Sequence, residues 1–458
     1  MAHRRILVLC LLFSTFGVSC TKSDHEQAPR LVQKVNNFIY EYMDEVYLWT
    51  AEMPRNIDRK YEFDSKDYFD KLLYKPEDKW SYITDDYEAL SEGSEGVETT
   101  FGYSLAFGRF TGTDYYFGII EYVYHNTPAE QAGLKRGDII YKMNGSNIDA
   151  NNYIRLYNDP SLSLQMGVLS DGGIGPGMTV NLIAVKMQLS AIIEEKVIEI
   201  EGHKIGYLFY SDFFGGSEEE LSGVFQRFKA AGVDDVVLDL RYNLGGYGYV
   251  ATHLASILAP ANVVQAENVM ITYQWNASYQ AYWEQQKEYD RIRTLFDKRV
   301  PVNMDLNRVY VLTTYNTASA SEFVITGLDP YMEVIKIGAA TRGKYTGSIL
   351  FQAEDKEIKN WGIQPIVERY ANSLGVTNFK DGFTPDYAVT DLLMEGVRQL
   401  GDAQESFLAK ALTLITGVSA PAVAAAPNTG SDFDVEESMN PRNDYFKGSV
   451  LRKTNYTP

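Results

Sequence analysis

Three short stretches of this chain combine residue types and spacings that could do chemistry. The first is Asn316-Thr317-Ala318-Ser319-Ala320-Ser321-Glu322, directly after the apolar run 309–313. A serine at a strand-to-helix junction presents its hydroxyl at the end of a sheet, where a helix N-terminus favours a developing negative charge. The same letters, Ser319-x-x-Glu322, also spell a capping box, which does no more than begin a helix. The second stretch is Leu238-Asp239-Leu240-Arg241-Tyr242-Asn243-Leu244-Gly245-Gly246. Paired glycines between a strand and a helix let backbone N–H groups approach a ligand closely, as an oxyanion hole requires. A plain strand-to-helix turn would use them as well. The third is Thr341-Arg342-Gly343-Lys344-Tyr345-Thr346-Gly347-Ser348, a glycine-flanked turn after the strand-like run 334–337. Taken alone, its lysine is a solvated charge.

Turns of this kind need a sheet beneath them. Between residues 195 and 400 short apolar runs (205–210, 236–240, 308–313, 334–337) alternate with helical patterns at 217–230, 248–258, 278–292 and 320–329. That alternation predicts an α/β layer with a largely buried sheet. A further helical pattern covers 388–416, and a flexible, Ala/Pro/Asn/Ser-rich and then acidic tail is expected over 417–458. Upstream, Leu31, Val35, Phe38, Tyr42 and Val46 recur at helical spacing. With a second helix at 66–74 and an otherwise irregular 50–100, they make 21–98 a tether and N-terminal helical region.

Residues 99–190 have another texture. Strand-like runs at 115–123 and 179–187 flank Asn126-Thr127-Pro128-Ala129-Glu130-Gln131-Ala132-Gly133-Leu134-Lys135-Arg136-Gly137-Asp138. Thr127 as N-cap, Pro128 at the first helical position and Glu130 at the third predict one turn of helix, which Gly133 ends. The stretch resembles a PDZ domain of the bacterial protease type. That resemblance places a carboxylate-binding loop at Phe101-Gly102-Tyr103-Ser104-Leu105, where backbone N–H groups would hold a peptide C-terminus. The segment 150–170 is then expected to supply the helix that walls the groove. Read without the downstream motif, 101–105 is a strand with a bulge.

Composition narrows the function classes. The chain has 458 residues, room for about three domains. Its formal charge of −19 repels phosphate backbones, so nucleic acid is not an expected partner. Arg4 and Arg5, the apolar run 6–18 and then a polar acidic stretch form a secretory leader. The Ser19-Cys20 pair makes it resemble a bacterial lipoprotein signal with Cys20 as the lipidated residue, the alternative being an ordinary signal with a chance cysteine. Both cysteines, Cys10 and Cys20, lie in this leader, which excludes cysteine-protease chemistry and Cys-ligated zinc downstream. No metal-ligand motif appears, and neither metal nor cofactor is expected.

In combination, the three stretches resemble the C-terminal processing peptidases, or tail-specific proteases, of serine peptidase family S41. The PDZ-like segment upstream and Gly382-Phe383-Thr384-Pro385-Asp386 downstream extend the likeness over roughly residues 30–400. The resemblance implies an α+β multidomain fold: an N-terminal helical region, a PDZ-like β-rich domain at 99–190, and an α/β (ClpP/crotonase-like) peptidase core at 191–416. It implies Ser319 as nucleophile, Lys344 as general base, and oxyanion donors from Gly245 or Gly246 and from Ala320. The family's usual glutamine four residues past the lysine is replaced here by Ser348, a possible orienting residue of shorter reach. A lysine is protonated at neutral pH unless burial disfavours the charge, so a base at 344 must be buried. His203 and His253 are the rival bases. The function so implied is an envelope serine endopeptidase, lipid-anchored on the periplasmic or outer-membrane side. It would cut proteins or peptides with free, apolar C-termini near those ends. A silent peptide-binding lipoprotein on the same scaffold is the alternative.

Overall fold

The computed structural model of the chain describes residues 26–170, 173–377, 379–394, 396–418, 433–436 and 450–451. The leader and Cys20 lie outside them. Among the described residues no helix is long and apolar enough to cross a membrane.

The N-terminal region opens with α1 (Arg30–Val46), whose buried stripe is Val35, Phe38, Ile39, Met43 and Val46. Leu31, expected on that stripe, is exposed. Helix α2 (Ser65–Leu72) begins at Asp64, whose carboxylate accepts from the Lys66 and Asp67 N–H groups. Residues 50–100 are more regular than expected. They hold α3 (Tyr87–Ser94) and strands Tyr82–Thr84 and Val97–Thr100, which pair with residues 362–364 and 185–188. Three- and four-residue strands paired so far along the chain show no local period. The region is not a separate layer. Tyr47, Trp49 and Tyr68 belong to the same buried cluster as the central sheet, and the Leu48 N–H donates to the Ile366 carbonyl.

Residues 103–183 build a second core around β1 (Tyr103–Phe110), β2 (Tyr115–Val123), α4 (Pro128–Gln131), β3 (Ile139–Met143), β4 (Ser146–Asp149), α5 (Arg155–Asn158), β5 (Ser161–Ser170) and β6 (Gly173–Ile183). The one-turn helix starts as expected, with Thr127 accepting from the Glu130 N–H, and Gly133 follows in the left-handed region at φ 77°. The expected helix across 150–170 shrinks to the four residues of α5. Leu162, Leu164 and Met166 alternate inward along β5, a period of two that a helix would break.

The remaining chain runs β7 (Ile192–Ile200), β8 (His203–Tyr210), α6 (Glu218–Ala231), β9 (Asp235–Asp239), β10 (Gly246–Tyr247), α7 (Gly248–Leu258), β11 (Val269–Trp275), β12 (Arg293–Leu295), β13 (Arg308–Thr313), α8 (Ala320–Leu328), β14 (Glu333–Gly338), β15 (Thr346–Ser348), β16 (Gly362–Gln364), β17 (Ile366–Asn372), β18 (Tyr387–Ala388) and α9 (Ser406–Thr416). The central sheet has the order β7-β8-β9-β13-β14-β18 and is parallel from β8 onward. Its strands are apolar on both faces because helices cover them, the usual condition of a parallel sheet.

Two helical expectations are corrected. The pattern 278–292 breaks at Lys287, which adopts φ 59°, into Ala277–Gln286 and Tyr289–Ile292. The pattern 388–416 is helical only in α9, with Gly396 and Gly401 in the left-handed region before it. Of the expected tail, β19 (Phe433–Glu436) and β20 (Val450–Leu451) are described, and both are strands. A second sheet, β10-β20-β15-β17-β11-β12, takes in Gly246–Tyr247 and Thr346–Ser348.

Candidate active site

The serine and glycine turns leave the carboxyl ends of neighbouring parallel strands, β9 and β13, where open α/β sheets place their ligands. Asn243 ties the two turns together. Its carbonyl accepts from the Ala318 N–H (3.0 Å) and the Ser321 hydroxyl (3.0 Å), and its amide donates to the Tyr210 carbonyl. Beneath them the buried Arg241 guanidinium pairs with Asp239 (2.8 Å) and Glu405 (2.8 Å). Burial alone would raise the Glu405 carboxyl, but Arg241 overrides it and holds Glu405 down at about 2. The glycine turn is thereby anchored from below by paired charges.

Ser319 starts α8 with φ 58° and ψ −110°, a conformation that costs a non-glycine residue on the order of 1–3 kcal/mol. Its side chain is fully buried; it keeps the capping-box placement against the Glu322 N–H, yet among the described residues its Oγ completes no hydrogen bond of good geometry. A buried hydroxyl that caps its helix this weakly is left available for chemistry. Gly245 explains why no side chain is tolerated opposite: with φ 116°, a Cβ there would stand 2.7 Å from the Ser319 Cβ. The Gly245 N–H itself donates to Asn243 Oδ1 (2.9 Å). That leaves Gly246 and Ala320, the first residue of α8, as the oxyanion candidates.

Lys344 is fully buried, with Nζ 5.1 Å from the centroid of Trp80, a ring contributed by the N-terminal region. Its turn is brought to Ser319 by two groups. Glu322 Oε2 accepts from both the Ser319 N–H (2.9 Å) and the Lys344 N–H (2.8 Å), while Oε1 accepts from Thr341 Oγ1 and the Gly343 N–H. The Tyr370 hydroxyl reaches both carbonyls, Ser319 O at 3.2 Å and Lys344 O at 2.6 Å. The two backbones are therefore never more than two hydrogen-bond lengths apart. The 382–386 motif braces the lysine turn from outside: Phe383 N–H donates to Thr341 Oγ1 (2.7 Å), and a Cβ on Gly382 would stand 1.9 Å from the Thr341 carbonyl oxygen. Ser348 is buried on β15 and accepts from the Gln364 side-chain amide at 2.9 Å. A glutamine thus does reach this position, from β16 instead of from the lysine turn.

Sequence reading missed Tyr370 and Trp80, which carry no local signal. Of Glu322 it found only the local half, the reach back to Ser319. The rival histidines stand elsewhere. His203 opens β8, at the end of the sheet opposite the turns, and His253 Nε2 is 2.8 Å from Ser222 Oγ on α6.

Residues 101–105 lie in the other core, at the start of β1. The Gly102 N–H donates to Thr100 Oγ1 and the Leu105 N–H to the Tyr157 hydroxyl, both at 3.0 Å. Contact with the site runs through Tyr122, stacked on Tyr242 (5.9 Å), and through buried Arg136, which donates to the Tyr242 hydroxyl (2.7 Å).

Burial pushes the Glu322 carboxyl up to about 7, against four donors that pull it down. Only the carboxylate can accept from both donor pairs, so activity is expected to climb as pH rises through about 7. Stability moves the other way. The folded value lies above the ordinary 4.5, so the contribution is complete below that pH and is lost as pH rises through about 7. Glu322→Gln sets an NH₂ group against N–H donors. It should lower kcat by about 100-fold, the cost of misplacing a catalytic geometry by about 1 Å, and flatten both pH slopes. Rate and melting temperature measured across that range check it; an unchanged pH profile would release Glu322 from the site.

Residues 204–389 match the family described as Peptidase family S41, and residues 34–82 match the Peptidase S41 N-terminal domain. Together the matches span just over half of the sequence. The chain belongs to peptidase family S41. This S41 chain is 25% identical over 296 residues to a carboxyl-terminal-processing protease of Synechocystis, covering 64% of the chain and 63% of that protein. It is 25% identical over 218 residues to the carboxy-terminal processing protease CtpB of Bacillus subtilis, 42% of each. It therefore spans just under two thirds of the first relative's length. An S41-family crystal structure from Bacteroides fragilis superposes with a TM-score of 0.69 at 26% identity, covering 84% of this chain and 98% of that one.

Proposed function

We propose that this S41 chain is a serine endopeptidase that cuts proteins or peptides near their C-termini by a Ser319–Lys344 dyad. The observation that carries the reading is that the strained, buried Ser319 and the fully buried Lys344 both donate their backbone N–H groups to one carboxylate oxygen of Glu322. Only the neutral amine of a lysine is able to act as base. In the first step Lys344 takes the Ser319 proton as Oγ bonds to the peptide carbonyl carbon. The carbonyl oxygen becomes an oxyanion facing the Gly246 and Ala320 N–H groups. Collapse breaks the C–N bond, and the ammonium returns its proton to the departing amine. Water, deprotonated by the same amine, then attacks the acyl carbon, and the ammonium returns that proton to Ser319 Oγ as the new C-terminus leaves. Covalent labelling by a fluorophosphonate probe, with the adduct mapped by mass spectrometry, tests the reading; a label elsewhere than Ser319 would overturn it.

The PDZ-like segment is proposed to select substrates by their free tails, with Phe101–Leu105 as the carboxylate loop. Binding there exchanges the Tyr157 hydroxyl on the Leu105 N–H for a peptide carboxylate, a stronger charge-assisted partner. Because one bond replaces another, amidating a peptide's C-terminus should weaken binding only about tenfold, the lower end for a lost charge-assisted bond. Equal affinity of acid and amide in a titration would remove tail selection. The lipoprotein-like leader supports a location in the cell envelope, with Cys20 as the anchor.

A further inference from the structure

The strands flanking the site are joined by the chain's own C-terminal segment. Strand β10 belongs to the glycine turn, beginning at Gly246, and β15 begins two residues past Lys344. These two strands do not pair with each other. Val450 and Leu451 lie between them, parallel to both: Val450 stands opposite Gly246 on one side and Gly347 on the other, Leu451 opposite Tyr247 and Ser348. Among the described residues the sheet across the site is continuous only through these two tail residues. A second tail segment, Phe433–Glu436, extends the other sheet as an antiparallel partner of β1, from Phe433 opposite Phe110 to Glu436 opposite Phe107.

We infer that the gap between β10 and β15 is the substrate-backbone path of the proposed peptidase, and that Val450 and Leu451 are its built-in occupant. The inference rests on the peptidase reading and adds to it how the peptide lies and what it resembles. An extended chain in this gap has the oxyanion turn on one flank and the lysine turn on the other. Main-chain pairing to two edges gives affinity without sequence demands, the mode of strand addition. The register supplies the preference. Both residues opposite position 450 are glycines, and a side chain on either would crowd its neighbours: a Cβ on Gly246 would stand 2.3 Å from the Phe213 backbone oxygen, one on Gly347 2.6 Å from Glu368 Oε1. An occupant there meets no neighbouring side chain on either flank, which suits a branched residue such as Val450. The substrate class is an extended peptide with aliphatic residues at this register, and the tail competes with it from within the molecule. Because the same tail also pairs along β1, both strand edges offered to a peptide are covered by one covalent segment.

The test uses the full chain with Val450→Pro and Leu451→Pro together, since proline cannot donate within a central strand. Hydrogen exchange at 246–247 and 346–348 should accelerate in this variant. The apparent KM for an aliphatic test peptide should fall about tenfold at unchanged kcat, as expected if the tail occupies the path in roughly nine molecules of ten. A synthetic peptide of residues 445–454 should then inhibit the variant competitively. Unchanged exchange in both segments would overturn the inference, as would unchanged KM in an active enzyme. Accelerated exchange with no fluorophosphonate label at Ser319 in either protein would leave the occupied path standing and sink the peptidase reading instead.

Discussion

Ser319→Ala should remove peptidase activity, with a loss on the order of 10⁶ in kcat, and should leave the fold as stable as before or slightly more so. The reason lies in what the hydroxyl does not do. Among the described residues Ser319 Oγ completes no hydrogen bond of good geometry, only the capping-box placement, so alanine removes a buried hydroxyl that is weakly paired. The bond that starts α8 uses the Ser319 backbone N–H to Glu322, which alanine keeps. If the serine were a helix cap, the same substitution would cost about 1 kcal/mol and spare activity. Turnover and melting temperature measured on one sample separate the two: active and destabilised means a cap, inactive and fully folded means a nucleophile.

Lys344→Arg should be as inactive as Lys344→Ala, with both losing on the order of 10⁴ or more in kcat. Arginine keeps the positive charge but does not deprotonate in a protein, so it cannot take the serine proton. The site is also closed to a larger head group, since Lys344 is fully buried with Trp80 above it. A solvated loop lysine would accept the exchange. His253→Asn serves as the control and should leave turnover near wild type, because that ring is engaged with Ser222 on α6. Wild-type rates in the arginine variant would take Lys344 out of the mechanism.

Much of the molecule could be read from its residues because the signals were local and periodic. The four central strands are buried apolar runs between helices, and helices α1, α6, α7 and α8 repeat their apolar residues at helical spacing or begin after a glycine turn. What failed failed for stated reasons. The segment 150–170 was expected as helix, yet β5 alternates Leu162, Leu164 and Met166. Residues 388–405 have helical composition, but their glycines take left-handed conformations before α9. The second sheet went unseen, since two- and three-residue strands such as β10 and β15 exist only by virtue of their partners.

The candidate site divides along the same line. Ser319, Lys344 and the paired glycines stand out because each occupies a turn whose residue types are chemically restricted, and such restrictions are written along the chain. That Glu322 serves the lysine turn 22 residues away as well as its own helix could not be read there. Nor could the Tyr370 hydroxyl joining the two turns, Trp80 roofing the lysine, the Gln364 amide reaching Ser348, or the tail lying between β10 and β15. Each is a contact between residues distant in the chain and close in space. Residue types and short-range spacing therefore specify which groups can react. Burial, strain and proximity, which decide whether they do, arise only when the sheets close over them.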